Sequence, residues 1–337
     1  MKDLPGISVL IPTLNAGRYL SSCLRSIREQ DYPSGLIEII IADGGSVDDT
    51  LELASRYGVD RVVANPGVTG EAARAILNRL ATRELILSVD SDNYLVGTNW
   101  LRRVVEPLQD DATVFAAEPI RWDYSADDPA LNRYFALTGI NDPISLFMGN
   151  YGRFSHLTGK WTEMRHREEA HDGYLVGILE PGRVPTMGAN GFLVRAQVLR
   201  QIADGDYYFD IDVVNELVAG GHCRIAKVDV AIGHHFARDL STFRRKTRRR
   251  IEDFLFWRSR RKYPWLSSGK LPILVFTCYT VLTVPLILQA LRGWLRVRDE
   301  AWVYHIPVCW VTLWIYSAAI LRSAVRRAPH SREGWQH

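Results

Sequence analysis

The sequence predicts an α/β fold in which short buried strands alternate with helices around a parallel sheet. Apolar, β-rich runs recur at Ile7–Ile11, Ile37–Ala42 and Leu85–Val89. Segments with helical spacing lie between them, at residues 19–30 and 70–81. Polar residues follow each apolar run directly. Strands that alternate with helical patterns in this way are typical of a parallel sheet with crossover helices.

The elements can be assigned in order along the first part of the chain. Ile7–Ile11 is followed at once by Pro12, which predicts a buried strand that ends there. The next segment places Leu20, Leu24 and Ile27 at helical spacing. The remaining predictions are a strand at Ile37–Ala42, a helix capped by Asp48–Thr50 and ending near Tyr57, a strand at Arg61–Ala64, a helix at Gly70–Ala81, and strands at Leu85–Val89 and Val114–Ala117.

Polar side chains at three strand ends indicate a binding site. They are Thr13 and Asn15, then Asp43, then Asp90 and Asp92. Ligands of parallel sheets bind at the carboxyl ends of the strands. Two neighbouring carboxylates are costly unless a cation lies between them, and Mg²⁺ or Mn²⁺ accepts such ligands together with substrate phosphates. A single Asp-x-Asp also fits a polar turn, but three polar strand ends in register favour a site.

Several protein classes are excluded or disfavoured. The chain has neither a GxGxxG fingerprint nor a Walker lysine loop, which disfavours dinucleotide-binding and P-loop folds. Its four cysteines form no CxxC pair, so we expect neither a disulfide framework nor a zinc site. This cysteine usage is typical of a protein in a reducing compartment. The N-terminus lacks a long apolar stretch, so we expect no secretory signal.

The combined motifs VLIPTLN, ADGGSVDDT and LSVDSDN resemble those of the family 2 glycosyltransferases. The resemblance is close to about Trp100 and looser as far as His235. It implies the GT-A fold, with a mixed, mostly parallel sheet, and an inverting transfer of sugar from a nucleotide-sugar donor. It also implies roles for the strand-end residues: Pro12, Thr13 and Asn15 line the nucleotide pocket, Asp43 holds the base, Asp90 and Ser91 lie near the ribose or phosphate, and Asp92 ligates Mg²⁺ or Mn²⁺.

Further donor residues are expected in the loop Thr186–Gly191, which precedes a predicted strand at Phe192–Arg195. The resemblance implies that Gly188 and Asn190 let the donor sugar approach the backbone. A tight turn before an edge strand is the alternative. The segment from about Tyr124 to Pro185, rich in aromatic and charged residues, is either the acceptor side of the site or a surface insertion.

The resemblance places a catalytic base in Tyr207–Val213, at the start of a helix after an aromatic stretch. Ile211 replaces the Glu of the usual Glu-Asp pair, so Asp212 and Asp210 both remain candidates, with Asp212 preferred. Asp210 would also serve as a helix cap. His235, which follows a predicted strand at Arg224–Val230, is a candidate metal ligand. A hydrogen bond within its loop is the alternative.

The positive charge is concentrated in Arg238–Lys262, which holds eleven Lys or Arg and three Asp or Glu, a net +8. The rest of the chain therefore carries −5, from +3 minus +8. Apolar positions spaced four, four and three apart predict one apolar helix face, formed by Phe243, Thr247, Ile251 and Phe254. Arg-rich helices of this kind lie at anionic membrane surfaces. The alternatives are a nucleic-acid-binding helix or, by resemblance, donor or lipid-phosphate contacts from Arg248–Arg250.

Two apolar runs of 21 residues, Leu271–Leu291 and Ala301–Leu321, have the length that crosses a bilayer. They predict a transmembrane hairpin and favour the membrane over the nucleic-acid alternative. Basic residues before the hairpin, together with Arg322, Arg326 and Arg327 after it, place its flanks in the cytoplasm. The arginines of the connecting segment, Arg292, Arg296 and Arg298, leave a shallow or re-entrant pair open.

These patterns predict a catalytic domain at 1–240, divided into a nucleotide-binding half 1–120 and an acceptor half 121–240. An interfacial helix at 241–268, two membrane helices at 269–325 and a tail at 326–337 follow. We expect a multi-pass inner-membrane glycosyltransferase with a cytoplasmic catalytic domain and a lipid-linked or cell-envelope glycan acceptor. Its partners are the donor, the acceptor and membrane lipids, without nucleic acid. Alternatives are a polyprenyl-phosphate sugar synthase, a nucleotidyltransferase and an inactive binding protein. The absence of Gln-x-x-Arg-Trp favours single sugar addition.

Overall fold

The computed structural model describes residues 3–202, 205–264 and 269–325. The chain divides into two compact units. The first unit comprises Met1–Asp123 and Arg165–His234, and the second comprises Tyr124–Met164 and His235–His337. The segment Tyr124–Met164 thus lies with the C-terminal helices, whereas the sequence grouped it with the acceptor half at 121–240. Residues 265–268 of the predicted interfacial helix and the tail 326–337, with Arg326 and Arg327, fall outside the described residues.

The first unit is built on a mixed sheet. Its strands in the described part of the chain are β1 (Ile7–Thr13), β2 (Ile37–Asp43), β3 (Arg61–Ala64), β4 (Leu85–Ser88), β5 (Asn93–Leu95), β6 (Val114–Trp122), β7 (His166–His171), β8 (Tyr174–Leu179), β9 (Phe192–Arg195) and β10 (Arg224–His234). Their order is β3-β2-β1-β4-β9-β6-β10-β8-β7, and β5 pairs with β10. Strands β3, β2, β1 and β4 are mutually parallel, and β9 runs antiparallel to β4 and β6. The predicted mixed α/β sheet is confirmed.

The helices are numbered in chain order. They are α1 (Gly17–Arg28), α2 (Thr50–Arg56), α3 (Gly70–Leu80), α4 (Trp100–Asp110), α5 (Ala130–Thr138), α6 (Pro143–Met148), α7 (Ala196–Leu199), α8 (Asp210–Ala219), α9 (Leu240–Trp257), α10 (Leu271–Leu282), α11 (Val284–Arg296) and α12 (His305–Val325). Short 3-10 helices occupy Ser34–Leu36 and Glu300–Tyr304. Helices α5, α6 and α9 to α12 belong to the second unit.

The first unit has a core that is covered on both faces of the sheet. All seven residues of β2 are buried, as are all four of β4. Parallel strands with both faces covered require such continuous apolar runs. Helix α1 contributes a stripe of buried residues at helical spacing: Leu20, Cys23, Leu24 and Ile27. The strand ends are therefore held on a rigid base.

One ion pair lies inside this sheet. The Lys227 ammonium on β10 is 2.6 Å from the Glu118 carboxylate on the neighbouring strand β6, and both side chains are fully buried. Two charges removed from water are tolerated only as a pair with good geometry. The pair therefore ties β6 and β10 together in one register.

The second unit is a helical assembly with an aromatic centre. The Phe135 ring of α5 packs 4.7 Å from Phe236 and 5.3 Å from Phe243 of α9, centroid to centroid. Burial of such rings contributes several kcal/mol, since each removes about 150–250 Å² from water. The C-terminal helices join the same core through Trp302 and Val308.

The C-terminal apolar segment differs from the predicted hairpin. Within the described residues, Glu300–Arg322 is the one helical stretch with the length and composition to cross a membrane by itself. The predicted first span, Leu271–Leu291, is instead divided between α10 and α11, which are bent by 93°. The break lies at Thr283, whose φ of 62° ends α10. The predicted first membrane helix is therefore not one continuous helix, and both a broken span and the re-entrant pair that the sequence left open fit this geometry.

Candidate active site

The carboxyl ends of β1, β2 and β4 meet at one edge of the sheet. Thr13 and Asp43 are register partners at the ends of β1 and β2. The backbone N–H of Val89, just beyond β4, donates to the carbonyl of Leu10 on β1 at 3.1 Å. Asp90 therefore leaves the sheet next to the end of β1. The predicted convergence of the three polar strand ends is present in the fold.

Asp43 organises the loop after β2. Its carboxylate accepts hydrogen bonds from the Thr13 hydroxyl at 2.8 Å, the Ser46 hydroxyl at 2.6 Å, and the backbone N–H groups of Gly45 and Ser46 at 2.9 and 2.8 Å. Burial opposes ionisation, but bonds from Ser46, Thr13 and Gly45 outweigh it and hold the pKa of Asp43 below its ordinary value. A carboxylate has about four acceptor positions. The four observed bonds therefore use these positions to hold the loop in place. The predicted contact of Asp43 with a nucleobase stays a prediction.

Asn15 links this loop to the one after β1. Its backbone N–H donates to the Ser46 hydroxyl at 2.8 Å, and its side-chain oxygen accepts the N–H of Val47 at 3.0 Å. Asn15 has a φ of 47°, a left-handed conformation that asparagine tolerates well. Pro12, one residue before the end of β1, is partly exposed. Both predicted donor residues lie at the edge of the sheet.

The segment Asp90–Asn93 forms a tight turn between β4 and β5. The Asn93 side-chain oxygen accepts the N–H of Asp90 at 3.1 Å, and the N–H of Asn93 donates to the Asp90 carbonyl at 2.9 Å. These bonds fix the direction of the intervening Ser91 and Asp92. Asp90, Ser91 and Asp92 are all partly exposed, so a ligand at this edge can reach them.

Arg74 is a site residue that the sequence did not reveal. Its guanidinium, on α3, is hydrogen-bonded to the Asp90 carboxylate and lies 3.3 Å from that of Asp210, measured from Nε. Burial disfavours the charged form, but Asp210 and Asp90 outweigh it and hold the pKa of Arg74 above its ordinary value. Arg74 thus joins the end of β4 to the start of α8. The available signal was a charged residue among the buried alanines of α3.

The two candidate bases lie in different surroundings. Asp210 is the first residue of α8 and keeps 21% of its side-chain area exposed while it pairs with Arg74. Asp212, two residues on, is only 4% exposed. An acceptor hydroxyl can approach a partly exposed carboxylate more easily than a buried one. The geometry therefore favours Asp210, the second choice from the sequence.

The loop Thr186–Gly191 approaches the same place. A Cβ at Gly188, which has a φ of 108°, would lie 2.8 Å from the Asp210 carbonyl oxygen. The N–H of Gly191 donates to the Ser88 carbonyl of β4 at 2.7 Å. Asn190 has a φ of 55° between them. The loop is thus held against both β4 and the start of α8, and only a residue without a side chain fits at position 188.

A histidine lies beside Asp92. The Nε2 atom of His234 is 3.6 Å from Oδ1 of Asp92, because β10 pairs with β5 and places His234 opposite Asn93. Gly233 permits this pairing, since a Cβ there would meet the Tyr94 ring at 2.0 Å. His235, the predicted ligand, is the next residue and belongs to the second unit, as does Arg248. The role of His235 as a metal ligand and the contact of Arg248 with the donor stay predictions.

The donor set at this edge fits a hard divalent ion that relies on substrate oxygens. Among the described residues, no group of three or more His, Cys, Asp or Glu side chains is arranged to hold a metal. A carboxylate and an imidazole, Asp92 and His234, are the two protein groups in place. Mg²⁺ is commonly bound by one or two carboxylates plus phosphates. The residues therefore fit an ion that arrives with a diphosphate.

Comparisons with known proteins identify the family of part of the chain. The family described as Glycosyl transferase family 2 matches residues 8–170. The chain is 33% identical over 94 residues to the poly(ribitol-phosphate) β-N-acetylglucosaminyltransferase TarS of Staphylococcus aureus, covering 26% of this chain and 16% of TarS. It is 33% identical over 139 residues to the glycosyltransferase GlyG of Streptococcus pneumoniae, covering 40% and 44%. The chain thus spans less than half the length of these two relatives.

A solved structure matches over almost the whole chain. The mannosyltransferase PcManGT from Pyrobaculum calidifontis, solved with GDP-Man and Mn²⁺, has a TM-score of 0.54 at 16% identity. The match covers 97% of this chain and 89% of that one. At this identity the likeness concerns the fold alone. Residues 8–170 are thus a glycosyl transferase family 2 domain, in a chain with the GT-A fold.

Proposed function

We propose that the chain is a membrane-associated inverting glycosyltransferase. It moves a sugar from a nucleotide-sugar donor to a hydroxyl group of a lipid-linked or cell-envelope glycan acceptor. The observation that carries the proposal is the pairing of Arg74 with Asp90 and Asp210, which gathers a donor-side and an acceptor-side carboxylate at one edge of the sheet. The glycosyltransferase names of the relatives support the same activity.

The donor lies at the carboxyl ends of β1, β2 and β4. Thr13, Asn15 and Asp43 shape the pocket for the nucleoside, because their hydrogen bonds fix the two loops on either side of it. Asp92 and His234 would hold Mg²⁺ or Mn²⁺, which supplies positive charge to the departing diphosphate. The sugar lies against the loop of Gly188 and Asn190, where the backbone is accessible.

Asp210 accepts the proton of the acceptor hydroxyl as its oxygen attacks the anomeric carbon from the face opposite the diphosphate. A positioned general base of this kind contributes about 10²–10⁴ in rate. Arg74 acts as a positioning residue, since its guanidinium holds the carboxylates of Asp90 and Asp210 at a fixed separation. The bond to the leaving oxygen breaks as the new glycosidic bond forms, which inverts the anomeric centre.

Release of nucleoside diphosphate tests the proposal directly. UDP-, GDP- and dTDP-sugars are first screened for thermal stabilisation, because a bound donor raises the melting temperature by mass action. The stabilising donor is then assayed for turnover with and without Mn²⁺ or Mg²⁺. We expect metal-dependent release that Asp92→Asn abolishes, while Asp206→Asn, at an exposed position on the surface, leaves it unchanged. Equal release by Asp92→Asn and the unaltered chain would contradict the proposal.

A phosphate acceptor is the second candidate, favoured by the exposed arginines of α9. A phosphate is already anionic and needs no base. Asp210→Asn therefore separates the two acceptors: transfer to a hydroxyl is lost, whereas transfer to a polyprenyl phosphate persists.

Membrane association rests on the second unit. Large apolar side chains are more than half exposed on all three C-terminal helices, as at Leu271 of α10, Leu295 of α11 and Leu321 of α12. Exposed apolar surface of this extent marks an interaction with lipid or with another protein. The adjacent basic helix α9 favours lipid, because anionic membranes attract clustered arginines.

A further inference from the structure

The bent pair α10–α11 has the dimensions of a re-entrant element. Its helices contain 12 and 13 residues, which corresponds to roughly 18 and 20 Å at 1.5 Å per residue. The hydrocarbon core of a bilayer is about 30 Å thick. With a bend of 93° between them, neither helix reaches across. The apex is apolar, and Val281, Leu282 and Val284 are 58–66% exposed around it.

Thr283, at the apex, has hydrogen-bond partners within the protein. The N–H of Thr283 donates to the Tyr279 carbonyl at 2.9 Å, and its own carbonyl accepts the N–H of Ile287 at 3.1 Å. The Thr283 hydroxyl donates to the Thr280 carbonyl and accepts from Nε1 of Trp310 at 3.2 Å. These bonds lower the cost of placing Thr283 in lipid, where no water can satisfy its polar groups.

Helix α12 lies alongside the arginine-rich helix α9. Ile251 of α9 shares a buried cluster with Ile315 and Ala319 of α12. Arg250 of α9 and Tyr316 of α12 both bond to the carboxylate of Asp142. The two helices therefore run side by side over the second half of α12.

The arginines of α9 make a membrane-crossing α12 unfavourable. Arg244, Arg245, Arg248 and Arg249 are exposed on α9. If α12 crossed the bilayer, α9 would be carried into the hydrocarbon with it. Insertion scales place arginine among the least favourable residues at the bilayer centre, so four of them would outweigh the gain from the apolar face of α12.

The tryptophans of α12 agree with this reasoning. Trp310 and Trp314 are 41% and 56% exposed near the middle of the helix. A crossing helix would place both at the bilayer centre, whereas tryptophan prefers the membrane–water interface. Trp314 and Leu321 share one exposed face of α12, since a step of 7 residues returns close to the same side, and Val303 is exposed in the 3-10 turn that leads into the helix. A helix in the plane of the interface exposes such a face to lipid along its whole length.

We propose that α9 to α12 form a one-leaflet anchor on an anionic bilayer. Helices α9 and α12 lie in the plane of the interface, and the Thr283 apex inserts deepest. The inference rests on the membrane association proposed above and specifies its geometry. It replaces the predicted transmembrane hairpin with an arrangement in which none of the described helices crosses the bilayer. The partner of this surface is the headgroup and upper acyl region of one lipid leaflet.

Depth measurement by spin labelling tests this geometry. Cys278→Ser and Cys223→Ser remove the accessible thiols, and single cysteines are introduced as Val303→Cys, Trp314→Cys, Leu321→Cys and Leu282→Cys. The full chain is bound to phosphatidylcholine vesicles containing phosphatidylglycerol. Collision with oxygen and with a nickel chelate reports the depth of each label. Val47→Cys, at a position 92% exposed in the first unit, is the control that stays in water.

The anchor predicts equal depth for the labels at 303, 314 and 321, within about 5 Å, and a deeper label at 282. A crossing helix would spread the labels at 303 and 321 by roughly 27 Å along the bilayer normal, with 314 deepest among the three. That spread would overturn the one-leaflet geometry while keeping membrane association. Failure of every variant and of the unaltered chain to bind the vesicles would overturn membrane association itself.

Discussion

Arg74 of the first unit and the arginines of α9 in the second unit lie in opposite surroundings. Arg74 in the first unit is buried between Asp90 and Asp210. Arg244, Arg245 and their neighbours on α9 in the second unit are exposed beside a set of exposed apolar side chains. A buried arginine is useful only where carboxylates compensate it, and then it fixes their positions. An exposed row of arginines instead provides charge to a partner from outside. These surroundings match the roles proposed above, which are chemistry on a small charged ligand for the first unit and contact with a membrane surface for the second.

Removing the acceptor-side partner of Arg74 has the largest expected effect. We expect Asp210→Asn to lower transfer to a hydroxyl acceptor by about 10²–10⁴, since a positioned base is lost. Donor-induced thermal stabilisation should persist. Asp212→Asn is the matched control two residues away, and it should keep most of the activity. Loss of activity in Asp212→Asn with full activity in Asp210→Asn would return the role of base to Asp212.

The buried ion pair of Glu118 and Lys227 in the sheet allows a second test, in which one charge of a pair is removed. Glu118→Gln leaves Lys227 charged at a fully buried position, and we expect a loss of about 3–5 kcal/mol in unfolding free energy. Urea denaturation measures it. The double variant Glu118→Leu, Lys227→Met removes both charges and should recover most of the loss. A double variant as unstable as the single one would show that packing, rather than charge, dominates.

Substitution of the exposed arginines of the second unit should affect membrane binding and not stability. Arg244→Gln with Arg245→Gln should leave the unfolding free energy nearly unchanged, because neither residue is buried. Each basic residue near an anionic surface contributes about 1 kcal/mol, so affinity for phosphatidylglycerol vesicles should fall roughly thirtyfold. Vesicle sedimentation at moderate salt measures it. Vesicles of phosphatidylcholine alone are the control, and an equal fall there would argue against an electrostatic contribution.

The buried charge of Asp43 is stabilised by hydrogen bonds and not by an opposite charge, and a substitution there can test their contribution. Since the pKa of Asp43 lies below its ordinary value in the folded protein, its ionised form stabilises the fold above the unfolded pKa of about 3.9. The contribution is lost as pH falls through the folded pKa. Asp43→Asn should therefore cost about 1.5–3 kcal/mol at pH 7 and progressively less toward acid. Unfolding measured across that range checks it, and a constant difference would argue against the ionised form as the cause.

Gly188 tests how closely the loop must approach Asp210. Gly188→Ala adds a methyl group 2.8 Å from the Asp210 carbonyl at a φ of 108°, and a strained backbone of this kind costs about 1–3 kcal/mol. Gly182→Ala is the matched control, because Gly182 also has a positive φ but meets no atom within 4 Å. We expect a larger fall in kcat for Gly188→Ala, measured by nucleoside diphosphate release. Similar kcat values for both variants would indicate that backbone strain, and not the contact with Asp210, causes the loss.

Local patterns predicted the parts of the site that depend on single strands. The ends of β1, β2 and β4 follow from apolar runs that stop at polar residues, so Thr13, Asp43 and Asp90 could be placed together. Arg74 could not be predicted, because its partners come from other parts of the chain and nothing near it in sequence marks them. His234 depends on the pairing of β10 with the three-residue strand β5, which is too short to show a pattern.

The break at Thr283 was hidden for another reason. Proline residues are tolerated within membrane helices, so Pro285 gave no indication that the apolar run would turn by 93°. The preference for Asp212 over Asp210 also depended on alignment with a motif that the chain alters at Ile211. Burial, which only the fold provides, separates the two.

The division of the chain into two units limits where it can be truncated. The backbone passes from one unit to the other three times, after Asp123, Met164 and His234. A single cut after His234 would keep all ten described strands but would separate Tyr124–Met164 from the rest of its unit, and a truncation near residue 240 would keep Phe135 and Phe236 while deleting their ring partner Phe243. We therefore expect that removing the proposed anchor with one terminal segment would also disrupt the aromatic core of the second unit.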